Sequence, residues 1–305
     1  MKSPKHRVLL SMVFLLTASV VSSADTERPK ISGISFVRLK STDLDKAAAF
    51  YSKILGLRSE SAECRGIAAR CYGVNESQWI ELTTGKPGAP GSFLETIGLW
   101  VSDVQQMQKF LSSHGVATSA ISRGPNGLRS LQISDPEGNK IVFVEQRGTE
   151  VGARSRGGSR QISSQLIHAG FVVKNLDLMK KFYVDLLGFR LYWYGGFKDD
   201  GVDWYEIQVP DGNNWIEFML NISPTADHKE LGVQNHFSLG VKNVHAVAQE
   251  LRAHGATTFD GPEVGRDGKD SLDIYDPDST RVEIMELTPS KEPCCHAYTA
   301  PHPKP

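Results

Sequence analysis

Four residues that can bind a metal recur in the second half of the chain, and each lies in a segment with the apolar pattern of a β-strand. The four are His168 in LIHAGFVV, Glu217 in NWIEFML, His236 in QNHFSLGV and Glu283 in STRVEIMEL. A carboxylate removed from water costs several kcal/mol unless it is paired or coordinated. One such residue alone is commonly a hydrogen-bonded core residue, but two glutamates and two histidines on strands predict a shared cation.

The donor types limit which cation this site would bind. Two imidazoles and two carboxylates suit one divalent metal ion, namely zinc, nickel, manganese, cobalt or iron(II), with open positions for water or two substrate oxygens. Several aromatic residues lie close to the first two of these segments, where they would line a pocket for a small-molecule substrate or pack in the core: Trp193, Tyr194, Trp204, Tyr205 and Trp215.

An internal duplication supplies the elements that must position these residues. AFYSKILGL returns as KFYVDLLGF, QWIEL as NWIEF and ISDPEGNKIVFVE as IYDPDSTRVEIME. Each copy reads as two modules of strand, helix and three strands, with polar caps before the helices and glycine after them. The sequence therefore predicts an α+β fold with four βαβββ modules. We place one domain at residues 31–147, a Gly/Ser/Arg-rich linker at 148–164, a second domain at 165–289 and a flexible tail at 290–305.

The duplication is also an internal control for the metal site. Only one of the four ligands is kept in the first copy, where the corresponding residues are Phe36, Glu81, Thr96 and Val142. Phenylalanine and valine cannot bind a metal, so the first domain is predicted to lack the site. Exchange of modules between the domains would leave both sites incomplete, so the third and fourth modules are predicted to pair with each other.

The chain resembles the vicinal oxygen chelate superfamily in these modules, in the FY…LG helix ends and in the DP hairpins. This superfamily includes glyoxalase I, bleomycin resistance proteins and extradiol dioxygenases. The resemblance covers residues 33–146 and 165–288. It implies two domains with curved mixed sheets, and it places ligands on the first and last strands of each module. His168, Glu217, His236 and Glu283 match those positions, and the resemblance implies that Glu283 or Glu217 acts as the catalytic base.

Three functions follow from the resemblance. The first is a glyoxalase-like lyase or isomerase, in which a metal chelates neighbouring substrate oxygens and a carboxylate moves a proton. The second is an iron(II) ring-cleaving dioxygenase with His168, His236 and Glu283 as its facial triad, although Glu217 would then occupy a position that catechol or oxygen needs. The third is a protein that binds a small molecule without turnover.

The N-terminus and the overall charge limit the cell compartment and the partners. Basic residues precede the apolar run VLLSMVFLLTASVV, which ends in small residues. This predicts a signal peptide at residues 1–24, a secreted or periplasmic protein and no membrane span in its mature form. The formal charge of −1 predicts no nucleic-acid partner. A homodimer is compatible with the pattern.

The four cysteines fit an oxidising compartment. Cys64 and Cys71 flank a short segment between two predicted strands, where they would close a loop. Cys294 and Cys295 are adjacent in the Pro-rich tail, where they would bind a soft metal with His296 or link two molecules.

Overall fold

The computed structural model describes residues 27–60, 70–89, 91–124, 127–146 and 160–304. The predicted signal peptide, Cys64 and most of the predicted linker lie outside the described residues. No helix within the described ranges is long and apolar enough to cross a membrane.

The first domain is a single mixed sheet built from the first two modules. The first module contains β1 (Ile31–Ser41), α1 (Leu44–Ala49), a π-helical continuation (Phe50–Ile54), β2 (Arg58–Glu60), β3 (Arg70–Gly73) and β4 (Trp79–Thr84). The second contains β5 (Leu94–Val101), α2 (Val104–Ser113), β6 (Ser122–Arg123), β7 (Arg129–Ser134) and β8 (Lys140–Glu145). The strand order is β2-β3-β4-β1-β5-β8-β7-β6.

The second domain repeats this order. Its third module contains β9 (Gln165–Val172), α3 (Leu176–Lys180), a π-helical continuation (Lys181–Leu186), β10 (Arg190–Gly195), β11 (Trp204–Gln208) and β12 (Trp215–Met219). After α4 (His228–Gln234), the fourth module contains β13 (His236–Val241), α5 (Val244–Ala253), β14 (Asp260–Val264), β15 (Asp270–Tyr275) and β16 (Arg281–Glu286). The order β10-β11-β12-β9-β13-β16-β15-β14 confirms the predicted α+β fold and places the third and fourth modules in one sheet.

The helices form where the sequence provides caps and an apolar face. Asp43 and Asp103 lie just before α1 and α2, and each side chain accepts two backbone N–H bonds of its helix. Such a cap contributes about 1 kcal/mol. Helix α2 buries residues spaced three or four apart, including Met107 and Phe110, so that one face covers the sheet. The opposite face of each sheet is thereby left for the residues that line its cavity.

The two domains are joined by hydrogen bonds from one amide side chain in each copy. Gln78, just before β4, donates to the carbonyls of Ile34 and Leu166 and accepts from the N–H of Leu166. Its counterpart Asn214, just before β12, accepts from the N–H of Ile34 and donates to the carbonyl of Leu166. These bonds tie β1 to β9, which fixes one domain against the other.

The repeated motifs also contact each other across the domain boundary. Tyr51, in the first FY motif, donates to Asp276 of the second DP turn at 3.0 Å. Tyr183, in the second FY motif, donates to Asp135 of the first DP turn at 3.1 Å. The motifs that reveal the duplication are therefore reciprocal interdomain contacts, and replacing either tyrosine would remove the interdomain donor of a buried aspartate whose other donors lie in its own turn.

Replacing Asp276 with asparagine is expected to change how stability depends on pH. Burial raises the pKa of Asp276 to about 6, whereas an unfolded aspartate titrates near pH ~3.9. The stabilising effect of its protonated form is therefore complete below about pH 4 and is lost as the pH rises through about 6. Because asparagine stays neutral, the variant should gain up to about 3 kcal/mol relative to the wild type between about pH 4 and 7.

Urea denaturation across that pH range measures this difference. The exposed Asp177 of α3 provides the control, because Asp177→Asn should show no comparable gain. A variant whose stability relative to the wild type is independent of pH would contradict the role assigned to the Asp276 carboxyl.

Residues 290–304 differ from the flexible tail that the sequence predicted, because they lie against the second domain. Tyr298 donates to Asp267 at 2.9 Å, and Thr299 donates to the carbonyl of Leu191 at 2.6 Å. The packing of aromatic rings holds the segment, and the ring of Tyr298 lies 4.8 Å from that of Tyr192. The sequence alone does not show these partners because they belong to distant strands.

The cysteines of the described residues are oxidised. Cys294 and Cys295 form a disulfide with each other, which leaves neither thiolate to bind a soft metal or to link two molecules. Cys71 is also disulfide-bonded, and its predicted partner Cys64 lies outside the described residues.

Candidate metal centre

The four predicted ligands lie on the four central strands of the second sheet. Strands β12, β9, β13 and β16 are neighbours in that order, and they carry Glu217, His168, His236 and Glu283 respectively. Residue Gly170 of β9 pairs with Glu217 on one side and with His236 on the other. His168 is two residues before Gly170 and therefore points to the same face of the sheet. Strand pairing thus brings together side chains that are far apart in the sequence.

The ligand atoms of His168, Glu217 and His236 all lie within 4.8 Å of one another, and Glu283 approaches this group through His168. The Nε2 atom of His168 lies 3.1 Å from Nε2 of His236, 3.1 Å from Oε2 of Glu283 and 3.7 Å from Oε2 of Glu217. Oε2 of Glu217 is 3.0 Å from Nε2 of His236. Ligand bonds of about 2.0–2.2 Å place neighbouring ligand atoms at separations of this order. The geometry therefore fits a shared cation.

Burial gives the two histidines the charge state that metal binding requires. It lowers the pKa of His168 to about 3 and the pKa of His236 well below its usual value, so both imidazoles are neutral. Nδ1 of His236 lies 3.1 Å from the carbonyl oxygen of Gln234. A carbonyl can only accept, so Nδ1 carries the proton and Nε2 presents its lone pair to the site.

The carboxylates complete the electrostatic fit. Burial raises the pKa of both Glu217 and Glu283, because the charged form of each loses its hydration. Oε2 of Glu283 makes no hydrogen bond within the described part of the chain. A divalent cation would satisfy this acceptor and stabilise both glutamates in their charged form. The residues present therefore suit the metal that the sequence predicted.

Arg281 is a fifth member of the site that the sequence analysis missed. Its Nη2 donates to Nε2 of His236 at 2.9 Å, and its Nη1 lies 3.3 Å from Oδ2 of Asp273. Arg281 thus uses the same lone pair of His236 that a metal would use. Its position was available in the sequence, since it stands two residues before Glu283 and must point to the same face of β16.

Removing the guanidinium of Arg281 is expected to strengthen metal binding. The variant Arg281→Met frees the His236 lone pair and removes a positive charge from the site, so the Kd for zinc should fall at least about tenfold. Competition against a fluorescent chelator measures this change. Arg266→Met, at the edge of the same cavity, should leave the Kd unchanged; weaker binding by Arg281→Met would instead assign Arg281 to holding the ligands in place.

Gly170 makes room for the second histidine. A Cβ atom at this position would lie 2.2 Å from Cε1 of His236, so no larger residue fits beside the imidazole. Arg38 occupies the equivalent position of the first domain, because it pairs with Glu81 and Thr96 as Gly170 pairs with Glu217 and His236. The loss of the histidine and the loss of the glycine in the first copy are therefore linked by packing.

A positive charge pairs with the one remaining ligand in the first domain. Nε of Arg38 donates to Oε2 of Glu81 at 2.7 Å, and the indole N–H of Trp79 donates to Oε1 at 2.8 Å. Phe36 pairs with Trp79 in the same register as His168 pairs with Trp215, which supports the equivalences read from the sequence. The Arg38 guanidinium is the counter-charge of Glu81.

A buried lysine lies behind the histidines of the second domain. The ammonium of Lys269 lies 4.3 Å from the ring centroid of Trp215 and 4.9 Å from those of Tyr192 and Tyr298. It has no hydrogen-bond partner among the residues described. The Trp215 ring in turn lies 4.7 Å from the ring of His168. Sequence reasoning missed Lys269 because the turn that carries it has no chemical pattern.

A cavity of about 330 Å³ opens onto the two glutamates of the centre. Glu217 and Glu283 line its inner part, and the aromatic residues Trp193, Phe197 and Trp204 line it as well. Phe197 is 76% exposed, as expected for a residue at the opening. Two of the five aromatic residues singled out in the sequence therefore line this cavity, whereas Trp215 packs on His168, Tyr194 stacks on His296 and Tyr205 packs near Phe218.

Comparison with known proteins gives one family for both domains. The model of the Glyoxalase/Bleomycin resistance protein/Dioxygenase superfamily matches residues 33–143 and 165–284. Lactoylglutathione lyase of Haemophilus influenzae is 28% identical over 130 residues, which cover 42% of this chain and 96% of that protein.

Solved structures of similar fold include two ring-cleaving dioxygenases. A variant of homoprotocatechuate 2,3-dioxygenase from Brevibacterium fuscum has a TM-score of 0.64 and 20% identity, covering 90% of this chain and 75% of that chain. The enzyme from Arthrobacter globiformis has a TM-score of 0.64 and 19% identity, covering 88% and 84% of the two chains. At these identities the likeness shows the shared fold.

Proposed function

Because the chain belongs to the Glyoxalase/Bleomycin resistance protein/Dioxygenase superfamily, we propose that its second domain is a metal-dependent lyase or isomerase of the glyoxalase type. The observation that carries this proposal is the position of Glu217, whose Oε2 lies 3.0 Å from Nε2 of His236. His168, Glu217 and His236 then form one compact group of ligand atoms, and Oε2 of Glu283 adds a fourth donor 3.1 Å from Nε2 of His168. A ring-cleaving dioxygenase uses two histidines and one carboxylate and keeps the other positions for catechol and oxygen.

The residues have distinct roles in this proposal. His168, His236, Glu217 and Glu283 hold one divalent ion, which when bound acts as a Lewis acid on a substrate oxygen. Glu283 takes the proton from the carbon beside the substrate carbonyl, because its Oε2 has no hydrogen-bond partner among the described residues and faces the cavity. A pKa raised by burial makes a carboxylate a stronger base.

The substrate class follows from the same site. Two neighbouring oxygens would occupy the open metal positions, and the apolar rings at the cavity opening would bind the rest of a small molecule. The predicted signal peptide supports a secreted or periplasmic location. Glutathione is mainly an intracellular thiol, so we propose an extracytoplasmic substrate that differs from the adduct named for the Haemophilus relative.

Hydrogen exchange at the substrate carbon tests the reaction type. The protein is loaded in turn with zinc, nickel, manganese, cobalt and iron(II), and hemithioacetals of 2-oxoaldehydes are followed by proton NMR in D₂O without oxygen. We expect deuterium to enter product beside the carbonyl with at least one metal, and no exchange with His236→Ala.

Two other outcomes would replace the proposal. Oxygen uptake with catechols in the presence of iron(II) would favour a ring-cleaving dioxygenase, a reaction for which the similar fold of the homoprotocatechuate dioxygenases is a precedent. Saturable binding of small molecules with no exchange and no oxygen uptake would favour a binding protein.

A further inference from the structure

We propose that the first domain carries a second ligand site, which binds without a metal and takes a small molecule with an aromatic body and an anionic group. The site is a cavity of about 580 Å³ formed by the first sheet and the segment before β6. Its volume falls within the range of about 300–1,000 Å³ that is usual for pockets that bind small molecules. It is larger than the cavity of about 330 Å³ at the metal centre.

Strand register places this cavity at the position that the metal centre holds in the second domain. Phe36, Arg38 and Val142 line it, and they are the counterparts of His168, Gly170 and Glu283. The exchange of ligands for apolar residues has removed the capacity to bind a metal. The exchange did not close the cavity.

Aromatic and aliphatic side chains form one wall. The rings of Phe36 and Trp79 are stacked, with centroids 5.2 Å apart and planes at 21°, and Val142 and Val144 extend this surface. These four side chains are nearly buried in a packed cluster, and the part of their surface that borders the cavity offers apolar contact to an aromatic ring. The body of the ligand is therefore assigned to this wall.

The charges of the cavity favour an anion. Among the residues that the structure describes, its lining includes two arginines, Arg38 and Arg123, and no acidic side chain. Glu81 does not oppose them, because one of its oxygens accepts from Arg38 and the other from the Trp79 indole. Arg123 is exposed, and its Nη1 donates to the carbonyl of Gly127 at 2.8 Å, a neutral partner that leaves the positive charge available.

A pair of hydroxyl groups near Arg123 adds a further hydrogen-bond donor. Ser122 and Ser130 line the cavity beside the arginine, and their Oγ atoms are 3.1 Å apart, so one hydroxyl donates to the other and one proton stays available for a ligand. Guanidinium and hydroxyl donors around one opening are suited to a carboxylate or sulfonate. The metal centre has the opposite character, since glutamates and aspartates line its cavity, so the two domains are built for ligands of different charge.

Titration of the ¹⁵N-labelled full chain with 1-naphthoate tests this site. The indole N–H of Trp79 bonds to Glu81 inside the site, and its NMR signal is assigned with the variant Trp79→Phe. We expect a saturable shift of this signal, with little change at Trp193 and Trp204 of the other cavity. The shift should persist in EDTA, which separates this site from the metal-dependent function proposed above.

Matched variants and a neutral probe test the charge. Arg123→Gln should weaken binding of 1-naphthoate at least about tenfold and leave binding of neutral 1-naphthamide unchanged. Ser122→Trp, at an exposed position of the opening, should block both probes, whereas Arg266→Gln in the second domain should affect neither. The proposal fails if the Trp79 signal does not shift, if it shifts equally with the amide and the acid, or if Arg123→Gln binds the acid normally.

Discussion

Replacing His236 with alanine is expected to abolish stoichiometric binding of a divalent cation while leaving the chain folded. Nε2 of His236 lies 3.0 Å from Oε2 of Glu217 and 3.1 Å from Nε2 of His168. Its loss removes one of the ligands that lie closest together. Removal of an outer-shell partner already lowers metal affinity about 10–100-fold, so we expect loss of a direct ligand to cost at least about 100-fold.

Metal analysis of purified protein and competition with a chelator measure this effect. The exposed His245 of α5 provides a control, because His245→Ala removes an imidazole from the same domain without touching the site. Circular dichroism checks the fold. A variant lacking His236 that retains one tightly bound ion per chain would exclude the centre described above.

The residues of the candidate metal centre could be singled out because the duplication makes the chain its own comparison. Strand periodicity places His168 and Glu217 on half-buried segments, and the first copy shows Phe36 at the place of the histidine. A residue that changes from phenylalanine to histidine at an otherwise repeated position is not explained by packing alone. The fold was thus accessible from local pattern and repetition, and the same pattern selected the candidate ligands.

Other members of the site were not predictable because they depend on contacts between strands. Arg281 reaches the Nε2 atom of His236, a residue on a different strand, and Lys269 is enclosed by rings from β10, β12 and the C-terminal segment. Neither interaction has a fixed spacing in the sequence. The exchange of Gly170 for Arg38 is visible in the sequence, but its meaning requires the 2.2 Å approach of a Cβ atom to the His236 ring.

The reciprocal contacts between the domains have a similar explanation. Tyr51 and Tyr183 were recognised as repeated helix residues, but their partners Asp276 and Asp135 lie in the opposite copy. A repeat in one sequence shows that two segments share a structure and does not show which segments touch. Both copies keep the tyrosine and the aspartate because the packing is pseudo-symmetric, so that each tyrosine donates to a buried aspartate of the opposite copy.

Replacing Glu283 with glutamine is expected to lower kcat of the proposed reaction by about 10²–10⁴-fold, the range that general base catalysis contributes. Glutamine keeps the shape and one oxygen of the side chain but cannot accept a proton. The metal affinity of Glu283→Gln should fall less than that of Glu217→Gln. Oε2 of Glu217 lies near the Nε2 atoms of both histidines, whereas Oε2 of Glu283 lies near Nε2 of His168. The two glutamates are thereby separated as base and ligand.

The pH profile gives an independent test of this role. A base must be deprotonated to act, so kcat/KM of the wild type should fall as the pH drops through the pKa of Glu283, which burial raises and a bound cation would lower. The residual activity of Glu283→Gln should lack this fall at low pH, the acid limb of the profile. Glu263, an exposed acid lining the same cavity, supplies the control, because Glu263→Gln should retain both kcat and the acid limb. The assignment is reversed if Glu217→Gln keeps its metal and abolishes the fall of kcat/KM at low pH, whereas Glu283→Gln does not. Glu217 is then the base, and Glu283 only binds the ion.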